Sequence, residues 1–436
     1  MRTPATFFLL TCLAGPLAAQ GYTITDLGDF GGATANGLGL DELGRAVGWA
    51  ATPGGWHAFY NDGFTTQDLG TFAGGYNSEA YDVNGAGDVV GWSSNNAGGW
   101  HAFRYTGGVM QDLGTFVGGF NSEAWGINDA GDVVGWSSNN AGGWHAFLYS
   151  GGVMQDLGTF LGGFTSEARK INNAGEVAGW SSNNAGGWHA FRSTGGVMED
   201  LGTFPGGFTS EAYDLNDAGQ VVGWSSNSAG LWSAFWYTGG ILLDIGVFPG
   251  GFTSMAYGIN DLGEIVGWST DASGNKRAAY WKDGVIHDLN TMLPGGSGWI
   301  LYEAWDINDG GDIVGWGTRN GTSRAFRMSP IELTLRGPIP GTAGAANTAL
   351  VTGAPPGAAV YLAFSFQAGA TVVPGCPGLF LGLDNPVLAG VQNAGPGGNA
   401  VFSGVVPSSW SGRTVLLQAG VPATCSLSNM LAHRLP

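Results

Sequence analysis

The sequence predicts an all-β protein in which a seven-bladed β-propeller is followed by a small β-sandwich. Three observations support the propeller: a module with a fixed period, four short apolar runs in each module, and incomplete modules at the two ends of the repeat. Asp112, Asp156 and Asp200, for example, are 44 residues apart. A fixed period of this length, built from short strands, is typical of propellers and related arrays.

Two short elements mark each module. The aspartate of a D-L-G element recurs at Asp26, Asp68, Asp112, Asp156, Asp200, Asp244 and Asp288. The glycine of a V-G-W element recurs at Gly48, Gly91, Gly135, Gly179, Gly223, Gly267 and Gly315. The tryptophan that follows this glycine is expected to pack between neighbouring blades, because flat sheets that stack face to face need large apolar side chains.

The third module shows the four predicted strands. They are an inner strand (122–128), a second strand (132–136), a third strand (145–149) and an outer strand (153–157). Gly-bearing turns join the strands within a module, as in β-hairpins. The longer stretch 158–166 is the expected crossing to the next blade.

The ends of the repeat predict how the propeller closes. The chain begins the repeat with a lone outer strand, Tyr22 to Leu27, and its last module has only three strands, ending at Arg327. We expect the lone strand to complete the last blade, because such closure removes open sheet edges.

The remaining segments divide the chain into three parts. Residues 1–19 carry Arg2, an apolar run and Ala18-Ala19, which is typical of a secretory signal peptide. Residues 20–328 form the predicted propeller. Residues 329–436 contain short β-branched runs between turn clusters, which predicts a β-sandwich. Its two cysteines, Cys376 and Cys425, are expected to form one disulfide in an exported chain.

Charge and hydropathy limit the partners. The net charge is −18, although only 11 % of residues are charged. This balance argues against nucleic acid, which requires clustered Lys and Arg. Beyond the signal peptide no apolar run approaches 18 residues, so we expect no membrane insertion. We therefore expect a monomer that is secreted, extracellular or at the cell surface.

Glutamates at the start of the inner strands are the main candidate ligand contacts. They are Glu79, Glu123, Glu167, Glu211 and Glu303, with Thr34 and Met255 in the remaining two modules. Because inner strands surround the axis of a propeller, these carboxylates should gather at one mouth of its channel. The interpretation in which each carboxylate only accepts hydrogen bonds from its own loop stays open.

Tryptophans near the same face are the second group of candidate contacts, namely Trp100, Trp144, Trp188 and Trp299. Aromatic faces beside carboxylates and amides are what a sugar surface requires, although packing between loops explains the same residues. A glycan or protein ligand at the channel face is therefore the expected partner.

Neither a metal site nor a catalytic set is predicted. His57, His101, His145 and His189 recur once per module, too far apart to share one metal ion. The turn Asn128 to Asp132 resembles a calcium loop, but its oxygen ligands are not kept from module to module. We expect no cofactor, with calcium as the weaker alternative.

The repeated string H-A-F, G-G, D-L-G, S-E-A, I-N and V-V-G is similar to the HAF-repeat family of bacterial extracellular proteins. The resemblance covers about Gly21 to Met328 and departs from the pattern at Ser233, Arg277 and Arg324. It implies export and a repetitive β architecture, and it implies no particular activity.

The sequence thus predicts a secreted, non-enzymatic repeat protein that acts as a binding or surface-interaction module, with carbohydrate as one ligand class. One alternative is a polysaccharide hydrolase or lyase at the Glu-ringed mouth. Another is a structural or adhesive extracellular protein.

Overall fold

A computed structural model of the chain describes residues 22–330, 333–339, 341–354, 357–373, 380–395, 398–421 and 426–436. Within these ranges there is no α-helix, and the prediction of an all-β protein is confirmed. The contacts divide the described residues into two compact units, Ile24–Ser329 and Pro330–Pro436. The predicted signal peptide, Cys376 and Cys425 lie outside the described residues, so the disulfide stays a prediction.

The first unit contains seven four-stranded antiparallel sheets, one for each module. Sheet 1 contains β2 (Ala35–Leu40), β3 (Ala46–Thr52), β4 (Gly55–Asn61) and β5 (Thr66–Gly70). Sheet 2 contains β6 (Ser78–Val83), β7 (Val89–Ser94), β8 (Trp100–Thr106) and β9 (Val109–Gly114). Sheet 3 contains β10 (Ser122–Ile127), β11 (Val133–Ser138), β12 (Trp144–Ser150) and β13 (Val153–Gly158). Sheet 4 contains β14 (Ser166–Ile171), β15 (Val177–Ser182), β16 (Trp188–Thr194) and β17 (Val197–Gly202).

The last three sheets follow the same order, with one exception. Sheet 5 contains β18 (Ser210–Leu215), β19 (Val221–Ser226), β20 (Trp232–Thr238) and β21 (Ile241–Asp244). Sheet 6 contains β22 (Ser254–Ile259), β23 (Ile265–Thr270), β24 (Lys276–Lys282) and β25 (Val285–Asp288), followed by a 3-10 helix (Leu289–Met292). Sheet 7 contains β26 (Trp299–Ile307), β27 (Ile313–Arg319), β28 (Thr322–Pro330) and, paired with β28 at the edge, the N-terminal strand β1 (Tyr22–Asp26).

The hairpin turns follow from their residues. In module 3, Gly151 and Gly152 both have positive φ, at 58° and 84°. A two-residue turn of this kind matches the right-handed twist of the flanking strands, and glycine adopts it without strain. Where a module lacks the Gly-Gly pair, Asp283 and Asn320 take the first position with positive φ.

A bulge in the first strand of every sheet shapes the region near the candidate site. In sheet 3, Ala124 pairs with Gly135 and Gly126 with Val134, so Trp125 is the extra residue. A Cβ added to Gly135 would overlap the carbonyl oxygen of Glu123. The glycine of V-G-W is therefore required because the bulged strand passes too close for any side chain.

Hydrophobic clusters lie between adjacent sheets. One cluster joins Val90 and Ala102 of sheet 2 to Ile127 and Phe147 of sheet 3. A cluster of the same kind joins Phe59 of sheet 1 to residues of sheet 7. The core of this unit thus consists of sheet-to-sheet interfaces.

A ladder of side-chain hydrogen bonds also links neighbouring modules. In each step an Asn side chain donates to a main-chain oxygen of the next module over 2.9 to 3.2 Å. The donors are Asn84, Asn128, Asn172, Asn216, Asn260 and Asn308, and the last of them donates to the carbonyl oxygen of Asp41 in module 1.

The second unit contains three sheets. The first holds β29 (Thr334–Ile339), β30 (Ala346–Thr352) and β35 (Ala400–Val405). The second holds β34 (Val387–Asn393), β31 (Ala359–Ser365), β36 (Thr414–Val421), β37 (Ser426–Leu427) and β38 (Leu431–Arg434). The third is the pair β32 (Ala368–Val372) and β33 (Phe380–Leu383), and a 3-10 helix spans Ser408–Trp410. Leu335 and Val351 of the first sheet share one buried cluster with Val360 and Leu417 of the second.

Over the described ranges, no helix has the length and apolar character needed to cross a bilayer.

Candidate functional site

A cavity of about 250 Å³ lies where the first strands of the seven sheets meet. Every first strand contributes to its lining, with Asn36, Leu38, Glu79, Tyr81, Trp125, Arg169, Lys170, Tyr213, Asp214, Tyr257, Trp305 and Asp306. We call this space the central cavity. Of the five candidate glutamates, only Glu79 lines it directly.

Two of the candidate glutamates are hydrogen-bonded to candidate tryptophans of the preceding module. The indole Nε1 of Trp100 donates to Oε1 of Glu123 over 3.0 Å. Trp188 Nε1 donates to Glu211 Oε1 over the same distance. The sequence placed these residues near one face, and the structure brings each pair into direct contact across a module boundary.

Glu79 is held within its own module. The phenol of Tyr81 donates to Glu79 Oε2 over 3.0 Å, and Trp92 Nε1 donates to the same phenol oxygen over 3.0 Å. The phenol and the carboxylate are thereby fixed at the wall of the central cavity.

The other two glutamates pair with cations. Glu167 lies 2.9 Å from the guanidinium of Arg169. Glu303 pairs with the ammonium of Lys276 and accepts a hydrogen bond of 2.7 Å from Trp316 Nε1. The five carboxylates therefore have side-chain partners rather than the loop amides that we considered from the sequence.

The strand register corrects one position of this series. Asn36 pairs with Trp49 as Glu123 pairs with Trp136, so Asn36 and not Thr34 occupies the glutamate position in module 1. The bulge and the atypical first module hid this alignment. Met255 holds the position in module 6, as predicted.

Burial makes the glutamates chemically unequal. It raises the pKa of Glu123 to about 7, assisted by the negative charges of Glu167 and Glu79 and opposed by Arg169. The same cause raises the pKa of Glu79 and of Glu211. Near neutral pH, Glu123 is thus a carboxyl that takes up and releases a proton beside an ion-paired carboxylate.

Five tryptophans at the start of the third strands form what we call the tryptophan rim, namely Trp56, Trp100, Trp144, Trp188 and Trp232. Each packs against the second-strand tryptophan of its module, with ring centroids 5.5 to 6.4 Å apart. Four of them leave 36 to 43 % of their surface exposed. Rings held this way offer fixed apolar surface to a ligand.

Trp299 lies elsewhere. It is 7 % exposed and its ring packs edge-on against Phe326, with centroids 6.1 Å apart. The structure does not bring it to the central cavity or to the rim.

A charged group in the cavity was not found from the sequence. The Lys170 ammonium lies 2.9 Å from Asp82 Oδ1, and it influences Asp214 and Asp306 from other first strands. Burial raises the pKa of Asp214 to about 8 and that of Asp306 to about 6, although Lys170 opposes both shifts. The signal was present, because these residues occupy one register position in their modules.

These aspartates also join neighbouring first strands. Asp82 Oδ2 accepts from the amide of Ile127 over 2.9 Å, and Asp306 Oδ2 accepts from the amide of Leu40 over 2.9 Å. Charge at the base of the cavity is thus tied to the packing of the modules.

The repeated histidines have a partner that sequence reasoning missed. In four modules the His Nδ1 lies 2.9 Å from the aspartate of D-L-G, as for His145 and Asp156. Where Arg277 replaces the histidine, its Nε lies 2.7 Å from Asp288. The basic residue and the aspartate therefore change together, which a comparison of the modules within the chain could have found.

Within the described ranges, no group of three or more His, Cys, Asp and Glu residues is arranged to hold a metal ion. The Asn128 turn uses its side chain otherwise: Oδ1 accepts from the amide of Asp132 over 2.9 Å, and Nδ2 donates to Asn172.

Comparisons with known proteins add little. No protein-family model matches the chain, and no curated protein sequence matches it. Among solved structures, the chain is similar to a tetra-tandem repeat in the extending region of a large adhesion protein. The identity is 12 %, the match covers 96 % of this chain and 100 % of that chain, and the TM-score is 0.19. A likeness at that TM-score supports no argument, and the resemblance to the HAF-repeat family stays a prediction.

Proposed function

We propose that the seven sheets form a closed seven-bladed propeller. Three contacts between the last and first modules support this: β1 pairs with β28, Asp306 accepts from the amide of Leu40, and Asn308 donates to the carbonyl of Asp41. The convergence of all seven first strands on one cavity supports it as well.

We further propose that this protein is exported and that its propeller, followed by a disulfide-bonded β-sandwich, is a non-enzymatic module that binds carbohydrate on the face carrying the tryptophan rim. The observation that carries the proposal is the repeated pairing of a half-exposed indole with a carboxylate, as in Trp188 and Glu211.

The chemistry of the rim suits a sugar polymer. The C–H groups of a sugar ring pack on an indole face, and its hydroxyls donate to carboxylates. Because the unit recurs from module to module, several sugars of one chain can be bound at once, and linked weak sites give a high combined affinity.

The test is binding of the mature chain to an array of glycans and then to the polysaccharide it selects. The double substitution Trp144→Ala and Trp188→Ala is expected to weaken binding at least tenfold. Phe64→Ala is the matched control, because Phe64 is 95 % exposed and lies beyond the opposite end of a third strand from the rim position of its module. Equal loss in both variants, or a blank array, would remove the carbohydrate proposal and favour adhesion to protein.

One observation favours a second function, hydrolysis of a polysaccharide. A general acid and its partner carboxylate must differ in their surroundings, and the raised pKa of Glu123 beside the ion-paired Glu167 supplies such a difference. Release of reducing ends from a bound polysaccharide, lost in Glu123→Gln while binding persists, would establish it.

A further inference from the structure

The wall of the central cavity contains a nearly continuous stack of flat side chains. Six first strands place an aromatic ring or a guanidinium at the same register position, and the seventh places a leucine there. The six are Tyr81, Trp125, Arg169, Tyr213, Tyr257 and Trp305, and the leucine is Leu38.

The stacking contacts run from module 2 to module 7. Tyr81 and Trp125 are parallel with centroids 3.8 Å apart, and the guanidinium of Arg169 lies 4.0 Å from the Trp125 centroid. At the other end, Tyr257 and Trp305 are parallel at 4.0 Å. Tyr81 and Trp305 therefore each use one face for a stacked neighbour, and Leu38 in module 1 stands between their other faces.

Unsatisfied polar atoms collect around the same place. Asn36 Oδ1, Trp125 Nε1, Trp305 Nε1 and Arg169 Nε are buried atoms without a hydrogen-bond partner, and all four residues line the cavity. Buried polar groups are rarely left unpaired, and each one that is costs stability. A ligand that both donates and accepts would satisfy one acceptor and three donors together.

Size and charge narrow the ligand. About 250 Å³ is just below the range of roughly 300 to 1,000 Å³ found for sites of drug-sized ligands, which indicates a single ring. The lining carboxylates of Glu79, Asp214 and Asp306 outnumber Lys170 and Arg169, which disfavours an anion. Hydroxyl groups on a neutral ring fit both the unpaired atoms and this charge.

We propose that the gap at Leu38, between Tyr81 and Trp305, is a subsite for one neutral sugar ring. The ring packs its C–H faces on the two aromatic side chains, and its hydroxyls bond to Asn36 and Trp305. This inference rests on the proposed carbohydrate function, but it concerns a single site separate from the repeated rim.

The experiment uses methyl glycosides of common neutral hexoses and of N-acetylglucosamine as probes, with ligand-observed NMR and titration calorimetry on the mature chain. Leu38→Trp inserts the missing ring and should lower the affinity for the bound glycoside at least tenfold. Leu38→Met keeps the gap and is the matched control. Asn36→Ala removes one acceptor and should lower the affinity roughly two- to tenfold, which keeps the test valid if Leu38→Trp does not fold.

The outcomes separate this inference from the broader function. One glycoside bound per chain, lost in Leu38→Trp while the rim still binds polysaccharide, supports the subsite. Polysaccharide binding with no glycoside bound, or glycoside binding unchanged in Leu38→Trp, overturns the subsite and leaves the rim proposal standing. No binding of either probe overturns both. Binding of tetramethylammonium that Leu38→Trp abolishes, without glycoside binding, overturns the sugar and assigns the gap to a cation.

Discussion

At the scale of single residues, the glycine of V-G-W is the least replaceable position. Gly135→Ala would place a Cβ against the carbonyl oxygen of Glu123, and backbone cannot move aside as a side chain can. We expect a loss of more than about 2 kcal/mol in the free energy of unfolding, measured by denaturant titration. In the control Gly54→Ala the added Cβ meets no atom within 4 Å, and stability should hardly change. Similar losses in both variants would contradict the argument.

Lys170 is the residue on which the buried aspartates depend. Lys170→Met removes the ammonium that lies 2.9 Å from Asp82 and that opposes the pKa shifts of Asp214 and Asp306. We expect about 3 to 5 kcal/mol of destabilisation near pH 7.5, because buried carboxylates lose their counter-ion. The loss should be smaller near pH 5, where the carboxyls can be protonated.

The control for this prediction is Lys170→Arg, which keeps the charge and should retain most of the stability at both pH values. A loss in Lys170→Met that does not depend on pH would show that the lysine acts by packing its aliphatic chain. Thermal unfolding followed by circular dichroism at the two pH values is sufficient.

The candidate site shows where single-residue prediction stops. The positions of Glu123 and Trp100 followed from the period, since equivalent residues in a repeat lie in equivalent places. Their hydrogen bond did not follow, because it joins different modules and depends on side-chain direction. Asn36 was displaced by two positions, because one bulged residue in the strand cannot be read from a short, Gly-rich segment.

At the scale of elements, β1 is the strand whose loss should matter most. Leu27, which follows β1, is 2 % exposed in the cluster shared by sheets 1 and 7, and its amide donates to Ala325 over 3.1 Å. Deletion of residues 21–28 should therefore lower the unfolding midpoint of the whole unit Ile24–Ser329 in one cooperative transition. The control Thr25→Ala changes only an exposed side chain of β1.

Differential scanning calorimetry and hydrogen exchange test this prediction. Loss of protection spread over all seven sheets is expected. Loss confined to β28 and its neighbours would mean that the modules unfold separately, as in an open repeat array.

The elements themselves were largely predictable from the sequence. Gly-Gly and Asp-Gly turns at fixed spacing locate the hairpin between the third and fourth strands, because these residues adopt positive φ. The first-strand bulges and the 3-10 helix Leu289–Met292 were not predicted. Both depend on contacts with other strands, and local propensity carries no signal for them.

At the scale of the whole molecule, burial of acidic groups is the main electrostatic feature. The chain has 33 acidic residues against 15 Lys and Arg, and several carboxyls lie in or near the central cavity. Burial raises the pKa of Glu42 to about 6, in addition to the shifts of Glu123, Asp214 and Asp306. Net charge alone did not reveal this, because it does not distinguish exposed from buried carboxylates.

The last prediction concerns stability against pH. A carboxyl with a raised pKa binds a proton in the folded chain at a pH at which the unfolded chain has released it. Its contribution to stability is therefore complete below the unfolded pKa, near 4, and is lost as pH rises through the folded value. For Glu123 and Asp306 that value is about 7 and about 6. Groups with lowered pKa, such as Glu264, lose their contribution only in more acidic solution.

We therefore expect the free energy of unfolding to fall by at least about 2 kcal/mol between about pH 5 and pH 8.5, measured by denaturant titration at constant ionic strength. Glu123→Gln, which cannot ionise and still offers a carbonyl to Trp100, should flatten part of that fall. Stability that rises with pH over this interval would mean that the carboxyls of the cavity are ionised and well paired in the folded chain, and the cavity would then attract cations rather than neutral rings.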